Sequence, residues 1–335
     1  MKALKVRAFT QGASVPSARF RVRQYRPQLE AAGIALSESA AYFGSYPGSS
    51  GLGRLPWLAA TLTERGFAAL KGNEADLVLF QREMVSTLYA PERLCRVPAV
   101  LDVDDAIWLT QRRGAIDKLA ARCRLVLCGN AYLAEHFAAL APVRILPTGV
   151  DTARWTPGEA EARPVIVWSG SAGGLPYLYE LEEALSAAFE AVPEAQLRVV
   201  CNARPRFAKL AAERVEFVPW SAEGEVAAVR SACVGVMPMP DTPWTRGKCS
   251  FKMLTYLACA VPAVASPWGM NAEVIAGGGA LAAATPAAWA EALVALLRDR
   301  DRARALGRAG RAQVEAMYAA ERIGRQLAEG LRSCL

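Results

Sequence analysis

Val165-Ile166-Val167-Trp168-Ser169-Gly170-Ser171-Ala172-Gly173-Gly174 runs an apolar strand straight into a glycine-rich turn, and an amphipathic stretch over Tyr177–Ala191 follows. Strand, tight turn and helix in that order open a parallel βαβ unit. The same order opens the chain, where a strand over Lys5–Thr10 meets Gln11-Gly12-Ala13-Ser14 and then a helical period over Arg19–Ala32. Working outward, apolar runs predict strands at Leu77–Gln81, Ala99–Val103, Leu125–Cys128 and Arg144–Leu146. In the second half they predict strands at Leu197–Cys201, Val215–Val218, Val234–Met237 and Ala263–Ala265. Helical periods fill the gaps, among them Leu55–Lys71, Gly114–Arg122, Ala131–Ala139, Arg206–Ala211, Glu223–Arg230, Lys248–Cys259, Pro286–Arg298 and Asp301–Tyr318. The expected fold is α/β, with two Rossmann-like domains in tandem. Proline, glycine and charge replace the apolar period between Leu146 and Pro164, which marks the linker and gives domains over 1–150 and 151–318. A last amphipathic helix over 319–335 carries Ile323, Leu327 and Leu331 at spacing four.

Composition narrows the function. With 335 residues, 53% hydrophobic and 21% charged, the chain can build sizeable cores and is not disordered. No apolar run approaches the ~20 residues of a membrane span, and the charged start Met1-Lys2-Ala3-Leu4-Lys5 lacks a leader's apolar core, so a cytoplasmic protein is expected. One histidine, His136, excludes a multi-histidine metal site, and eight cysteines without a Cys-x-x-Cys pair are expected to be buried thiols. The net charge of +7 is placed unevenly. Residues 1–155 hold 20 basic against 13 acidic side chains, and residues 156–335 hold 19 of each. An excess confined to one half points to an anionic partner there. Nucleic acid is not that partner, because no aromatic-interleaved basic strand or recognition helix is present.

The stretch Val236-Met237-Pro238-Met239-Pro240-Asp241-Thr242-Pro243-Trp244-Thr245-Arg246-Gly247-Lys248-Cys249-Ser250-Phe251-Lys252 leaves a strand, crosses a proline-rich loop and enters a helix. A helix start beside Arg246 and Lys248 suits a diphosphate, and Lys248 and Lys252, at i and i+4, are expected on one helix face. An ordinary solvated helix start is the plainer alternative. In the first half, Arg19, Arg23 and Arg26 fall at i, i+4 and i+7, with Arg21 and Arg112/Arg113 adding positive charge. That face reads either as solvated or as a contact for phosphate or anionic lipid, with Arg19 nearest the site. Asp102-Val103-Asp104-Asp105 ends a strand, so Asp104 and Asp105 are placed at its carboxyl end toward acceptor or sugar, or as caps of the next turn. An all-helical terpene cyclase fits poorly with a buried strand at Ala99–Val103, and a manganese-binding Asp-x-Asp fits poorly with two Rossmann-like halves. His136 reads as a structural helix residue. Trp220, Trp244 and Trp268 read equally as core or as stacking platforms.

Lys252-Met253-Leu254-Thr255-Tyr256-Leu257-Ala258-Cys259-Ala260-Val261-Pro262-Ala263-Val264-Ala265-Ser266-Pro267-Trp268-Gly269-Met270-Asn271-Ala272-Glu273-Val274-Ile275 resembles the donor-binding segment of family 4 (group 1) retaining glycosyltransferases with the GT-B fold. Ile145-Leu146-Pro147-Thr148-Gly149-Val150-Asp151, Val126–Leu133 and the tract from Ser17-Ala18-Arg19-Phe20-Arg21 through Gln81-Arg82-Glu83 to Leu101–Trp108 are similar to the same family, as a divergent branch. The resemblance implies two Rossmann-like domains facing across a cleft. The first would be an acceptor domain and the second a nucleotide-sugar donor domain, with the last helix packing back on the first. It implies transfer of a sugar from a nucleoside-diphosphate-sugar, a substrate rather than a cofactor, with retention and with no metal. Such transfer would serve glycoconjugate or cell-envelope polysaccharide synthesis. Carried over by position, Gly170, Ser171, Lys248, Lys252 and Arg246 would hold the diphosphate, and Trp220 would border the base. Gly269, Met270 and Asn271 would lie near sugar and phosphates, with Gly12 and Arg19 approaching from the acceptor side. Asp104, Asp105, Arg19 and Lys248 would carry catalysis. The acceptor would be anionic or lipid-linked, with peripheral contact to the inner face of the membrane through the basic domain. Where the family commonly has two glutamates, this chain has Gly247 and Thr255. That departure motivates two alternatives, a nucleotide-sugar-binding protein without catalysis and a GT-B nucleotide-sugar epimerase.

Overall fold

Each long apolar run becomes a strand of a parallel sheet. In a computed structural model, which describes residues 3–13, 15–44, 51–86, 88–110 and 114–335, the chain divides into two units. Unit 1 comprises Met1–Gly149, Gly247–Cys249 and Ala320–Leu335, and unit 2 comprises Val150–Arg246 and Ser250–Ala319. Unit 1 carries β1 (Leu4–Thr10), β2 (Ile34–Ala40), β3 (Leu77–Gln81), β4 (Ala99–Val103), β5 (Leu125–Cys128) and β6 (Val143–Ile145), in the order β2-β1-β3-β4-β5-β6. Every pair is parallel. β3, β4 and β5 are buried at every position, the behaviour of interior parallel strands. The helix Ala320–Arg332 belongs to this unit, and its Ile323, Leu327 and Leu331 sit in one core with Tyr25, Leu29, Leu79 and Leu127.

Unit 2 repeats the plan with β7 (Val165–Gly170), β8 (Gln196–Cys201), β9 (Val215–Pro219), β10 (Val234–Met237), β11 (Ala263–Ala265) and β12 (Ala280–Ala282). Its order is β12-β11-β10-β7-β8-β9, again all parallel. In each sheet the winding direction reverses once, between β1 and β3 and between β7 and β10. Ligands of open α/β sheets bind outside the carboxyl ends of strands at such reversals. The α/β fold expected from the sequence is the fold observed. Among the described residues, no helix is long and apolar enough to cross a membrane, and all eight cysteines are free and buried.

Several expected helices differ. Arg19–Ala32 is three pieces, Pro16–Arg21, a tight turn at Arg23–Tyr25, and Arg26–Ala31. Pro27 has no N–H to donate and its ring collides with the preceding turn, so one continuous helix cannot form. Arg19, Arg23 and Arg26 therefore do not share a face. Arg206–Ala211 is not helical, because side chains of its neighbours take the amides a helix would use. Arg206 N donates to the Tyr179 hydroxyl (3.0 Å) and Lys209 N to Glu182 Oε1 (2.9 Å). The helix expected from Lys248 begins at Phe251, since Ser250 adopts a left-handed conformation at φ 51°. Lys248 precedes that helix and belongs to unit 1, whereas Lys252 lies within it in unit 2. They are not neighbours on one helix face.

Candidate functional site

In unit 2 the site begins where β7 ends. Trp168 is buried at 2% exposure, and Lys252 lays its ammonium over the indole, 5.6 Å from the ring centroid. The lysine chain passes so close to the backbone that a Cβ on Gly170 would lie 2.6 Å from Lys252 Cε and 2.7 Å from the Trp168 ring. The glycine is what lets the cation reach the Ser169–Gly174 turn. Tyr256 and Glu225 hold that turn from beneath. The Tyr256 hydroxyl accepts from Ser169 N at 2.9 Å, and Ser169 Oγ donates to Glu225 Oε1 at 2.5 Å. Glu225 also accepts from Trp220 Nε1 at 3.0 Å, which fixes a half-exposed indole at the end of β9. Asn202, after β8, accepts from Ala172 N at 2.8 Å, and Ser171 is exposed at the tip of the turn.

Beyond β10 and β11 the loops are tied to one another. Arg246 forks onto Asp241 (2.7 and 2.9 Å), and this partner holds the Asp241 carboxyl below its ordinary range. Gly269, at φ 54°, packs on the Arg246 backbone, whose carbonyl would lie 2.8 Å from an added Cβ. Met270 is buried. Asn271 is fully buried, accepting from Ser250 Oγ (2.7 Å) and donating to the Ser266 carbonyl (3.0 Å), so its side chain fastens the loop. Thr255 is buried and donates to the Lys252 carbonyl at 2.7 Å. It therefore cannot reach outward as a glutamate would.

In unit 1 the reversal lies between β1 and β3. Arg82, directly after β3, sits at φ 62°, a strained conformation for a residue with a side chain. Its guanidinium donates to Asp104 Oδ1 (2.7 Å) and Asp105 Oδ2 (2.6 Å). Lys248 Nζ takes the other Asp105 oxygen at 2.7 Å. Asn130 holds Lys248 in place by donating to its carbonyl at 3.0 Å while accepting from Leu133 N at 2.9 Å. Burial alone would push the Asp104 carboxyl up, but Arg82 and Arg21 outweigh it and hold the group below its usual range. Asp104 is thus ionised, and both Asp104 and Asp105 are ion-paired, a frame for Arg82 and Lys248. A Cβ on Gly247 would lie 2.6 Å from the Ala106 Cβ and 2.8 Å from its backbone nitrogen, leaving no room for a glutamate.

Behind this frame Arg21 and Asp102 form a buried bidentate pair (3.0 and 2.5 Å), and Arg21 also donates to the Leu146 carbonyl at 2.8 Å. Burial works against the charge of Arg21, yet the Asp102 partner raises its pKa further, so it stays protonated. Arg23 and Arg26 turn to Glu38 (2.7 and 3.4 Å), and Arg23 also donates to the Gly12 carbonyl at 3.0 Å. Three arginines of the expected basic face are therefore spent on carboxylates within unit 1. Arg112 and Arg113 lie outside the described residues. Arg19 is half-buried, with its guanidinium 5.1 Å from the Phe20 ring centroid. His136 stacks on Trp108 at 3.8 Å and contacts Asp117 at 2.9 Å, a packing role. Two further residues stand at the reversal. Gln11 and Gln81 are buried, and their amide nitrogens find no acceptor among the described residues. Glu225 and Asn202 carry no local motif, because each acts through a partner distant in sequence, whereas Gln81 and Arg82 fall in the quoted tract Gln81-Arg82-Glu83, which gave them no individual role.

Comparison with known proteins agrees with this fold. Residues 163–299 match the family model described as "Glycosyl transferases group 1". No curated protein matches the chain in sequence. Among solved structures, the sucrose-phosphate synthase of Thermosynechococcus elongatus superposes with a TM-score of 0.74 at 16% identity, over 98% of both chains. HepE of Anabaena, solved with UDP and glucose, gives 0.69 at 14% identity over 98% of this chain and 99% of its own. AviGT4, a glycosyltransferase involved in avilamycin A biosynthesis, gives 0.65 at 14% identity over 99% and 98%. The chain therefore has the GT-B fold, and its residues 163–299 are similar to the group 1 glycosyl transferases.

Proposed function

We propose that the chain transfers a sugar from a nucleoside-diphosphate-sugar to a hydroxyl-bearing acceptor, with the donor diphosphate on the Ser169–Gly174 turn. The observation that carries this is Lys252, seated on Trp168 and brought against Gly170 only because that residue has no side chain. A cation at a glycine turn after a parallel strand stabilises the charge that grows on a departing diphosphate. In this reading Trp220 offers its fixed indole face to the base, while Gly269, Met270 and Asn271 shape the loop beside the sugar. The UDP and glucose in the HepE structure support a uridine nucleotide as donor. Retention follows if the leaving diphosphate takes the acceptor proton on the same face of the sugar. The reaction then needs no side-chain base, which suits the ion-paired Asp104 and Asp105. Lysine charge in place of a metal belongs to the same proposal.

On the acceptor side, the buried amides of Gln11 and Gln81 at the unit 1 reversal offer donors to acceptor oxygens. The positive excess over residues 1–155 supports an anionic acceptor, such as a lipid-linked precursor of a cell-envelope glycan. The test is donor turnover. The protein is incubated with UDP-, GDP-, ADP- and dTDP-sugars, and released nucleoside diphosphate is measured. Lys252→Ala should bind UDP about 10- to 150-fold more weakly, the loss of one charge-assisted contact. Binding of none of the four nucleotides would overturn the donor assignment. Epimer formation without acceptor would overturn the transfer.

A further inference from the structure

The second half of the chain is electrically balanced in sum, but its arginines are not evenly spread. A cavity of about 590 Å³ opens in unit 2 between the residues that precede β10 and β11 and the helix Arg300–Gln313. Ala232 and Cys233 lead into β10, and Val261 and Pro262 lead into β11, so the cavity lies at the amino ends of these strands. The Ser169–Gly174 turn lies at the carboxyl end of the neighbouring β7. The two sites are at opposite edges of one sheet.

Four arginines line the cavity, Arg230, Arg300, Arg304 and Arg308, against one carboxylate, Glu159. Arg300, Arg304 and Arg308 stand at i, i+4 and i+8 of a single helix, so they share a face. Arg304 pairs with Asp301 at 3.1 Å, a contact that is largely exposed on both sides. Arg300 donates to the carbonyls of Glu161 (3.0 Å) and Ala162 (2.7 Å) and, among the described residues, pairs with no carboxylate. Among the described residues, Arg230 and Arg308 pair with no carboxylate. Small side chains such as Ala232 and Ala303 form part of the lining and keep the space open. Guanidinium groups crowded around a cavity repel one another and are planar forks suited to phosphate oxygens. The volume falls within the ~300–1,000 Å³ of small-molecule sites. The arginine-bearing helix also lies beyond the matched segment 163–299, so this feature is not part of what the family model describes.

We infer that this arginine-lined cavity is a second anion site, which takes a phosphate-bearing ligand at the edge of the sheet away from the donor turn. The ligand is either a soluble phosphorylated compound or the headgroup of an anionic lipid, and the two are separable. Inorganic tripolyphosphate is titrated calorimetrically into the wild-type protein and into the double variant Arg304→Ser/Arg308→Ser. Both proteins are also co-sedimented with phosphatidylcholine vesicles with and without phosphatidylglycerol. Both substituted side chains are exposed, so the fold should persist, and circular dichroism checks it. The expected result is at least a tenfold loss of tripolyphosphate affinity or of phosphatidylglycerol-dependent sedimentation in the variant. The first outcome assigns a soluble ligand and the second a lipid headgroup. Equal behaviour of the two proteins in both assays would overturn the site. UDP titrations run in parallel report the donor turn independently, so one reading can fail while the other stands.

Discussion

Alanine at position 170 would place a methyl carbon 2.6 Å from Lys252 Cε and 2.7 Å from the Trp168 ring. Carbon atoms do not approach so closely, so one neighbour must yield. Trp168 is packed in the core at 2% exposure, whereas the lysine chain is flexible. Lys252 therefore moves, and its ammonium leaves the turn. A charge-assisted hydrogen bond is worth about 1.5–3 kcal/mol, so UDP should bind roughly 10- to 150-fold more weakly. Calorimetric titration of UDP into wild type, Gly170→Ala, Lys252→Ala and the double variant tests the cause as well as the size. If the glycine serves only to seat the lysine, both single variants delete the same contact, and the double variant loses no more than either. Full UDP affinity in a folded Gly170→Ala protein would refute the reasoning. Losses that simply add in the double variant would show that Gly170 does not act through Lys252.

Three further outcomes are expected. Burial pushes the Glu92 carboxyl from 4.5 up to about 7. The folded chain thus keeps a proton that the unfolded chain releases, and stability falls as pH rises across that interval, by about 3 kcal/mol when complete. Glu92→Gln should flatten this slope and raise stability at pH 8; urea unfolding at pH 5 and pH 8 measures it, and an unchanged slope would contradict the assignment. Asp102→Asn leaves the Arg21 guanidinium buried without its counter-charge and should cost about 3–5 kcal/mol, read from the same urea transitions. Leu327→Ala, in the core shared by the last helix and unit 1, should destabilise by about 2–5 kcal/mol, visible as a lowered Tm.

The sheet cores were largely legible, because buried parallel strands are continuous apolar runs bounded by turn residues. Two strands escape that signal for physical reasons. β2 is an edge strand whose Ser37, Glu38 and Ser39 face partners and solvent, with Glu38 anchoring Arg23. β12 is three residues long and made of Ala280, Leu281 and Ala282, too short to show a period. At the Ser169–Gly174 turn, Gly170 and Lys252 announce themselves through a glycine run after a strand and a lysine near a helix start. Glu225 and Asn202 do not, since each reaches the turn from another element. Periodicity also overreached. Arg19, Arg23 and Arg26 keep helical spacing on paper, but Pro27 breaks the helix and Glu38 collects two of the three.

Unit 1 is discontinuous, and this has a consequence for biosynthesis. Its sheet is translated before unit 2, yet Ile323, Leu327 and Leu331, which share its core, follow only after unit 2. Unit 2, by contrast, is complete once Ala319 has been made. Domains tend to fold as units while they emerge from the ribosome. Here unit 1 must wait for the helix Ala320–Arg332, so its apolar seam stays open until that helix has emerged. A stop codon placed within Ala320–Arg332 would therefore damage unit 1, whose sheet lies far from it in sequence, and spare unit 2.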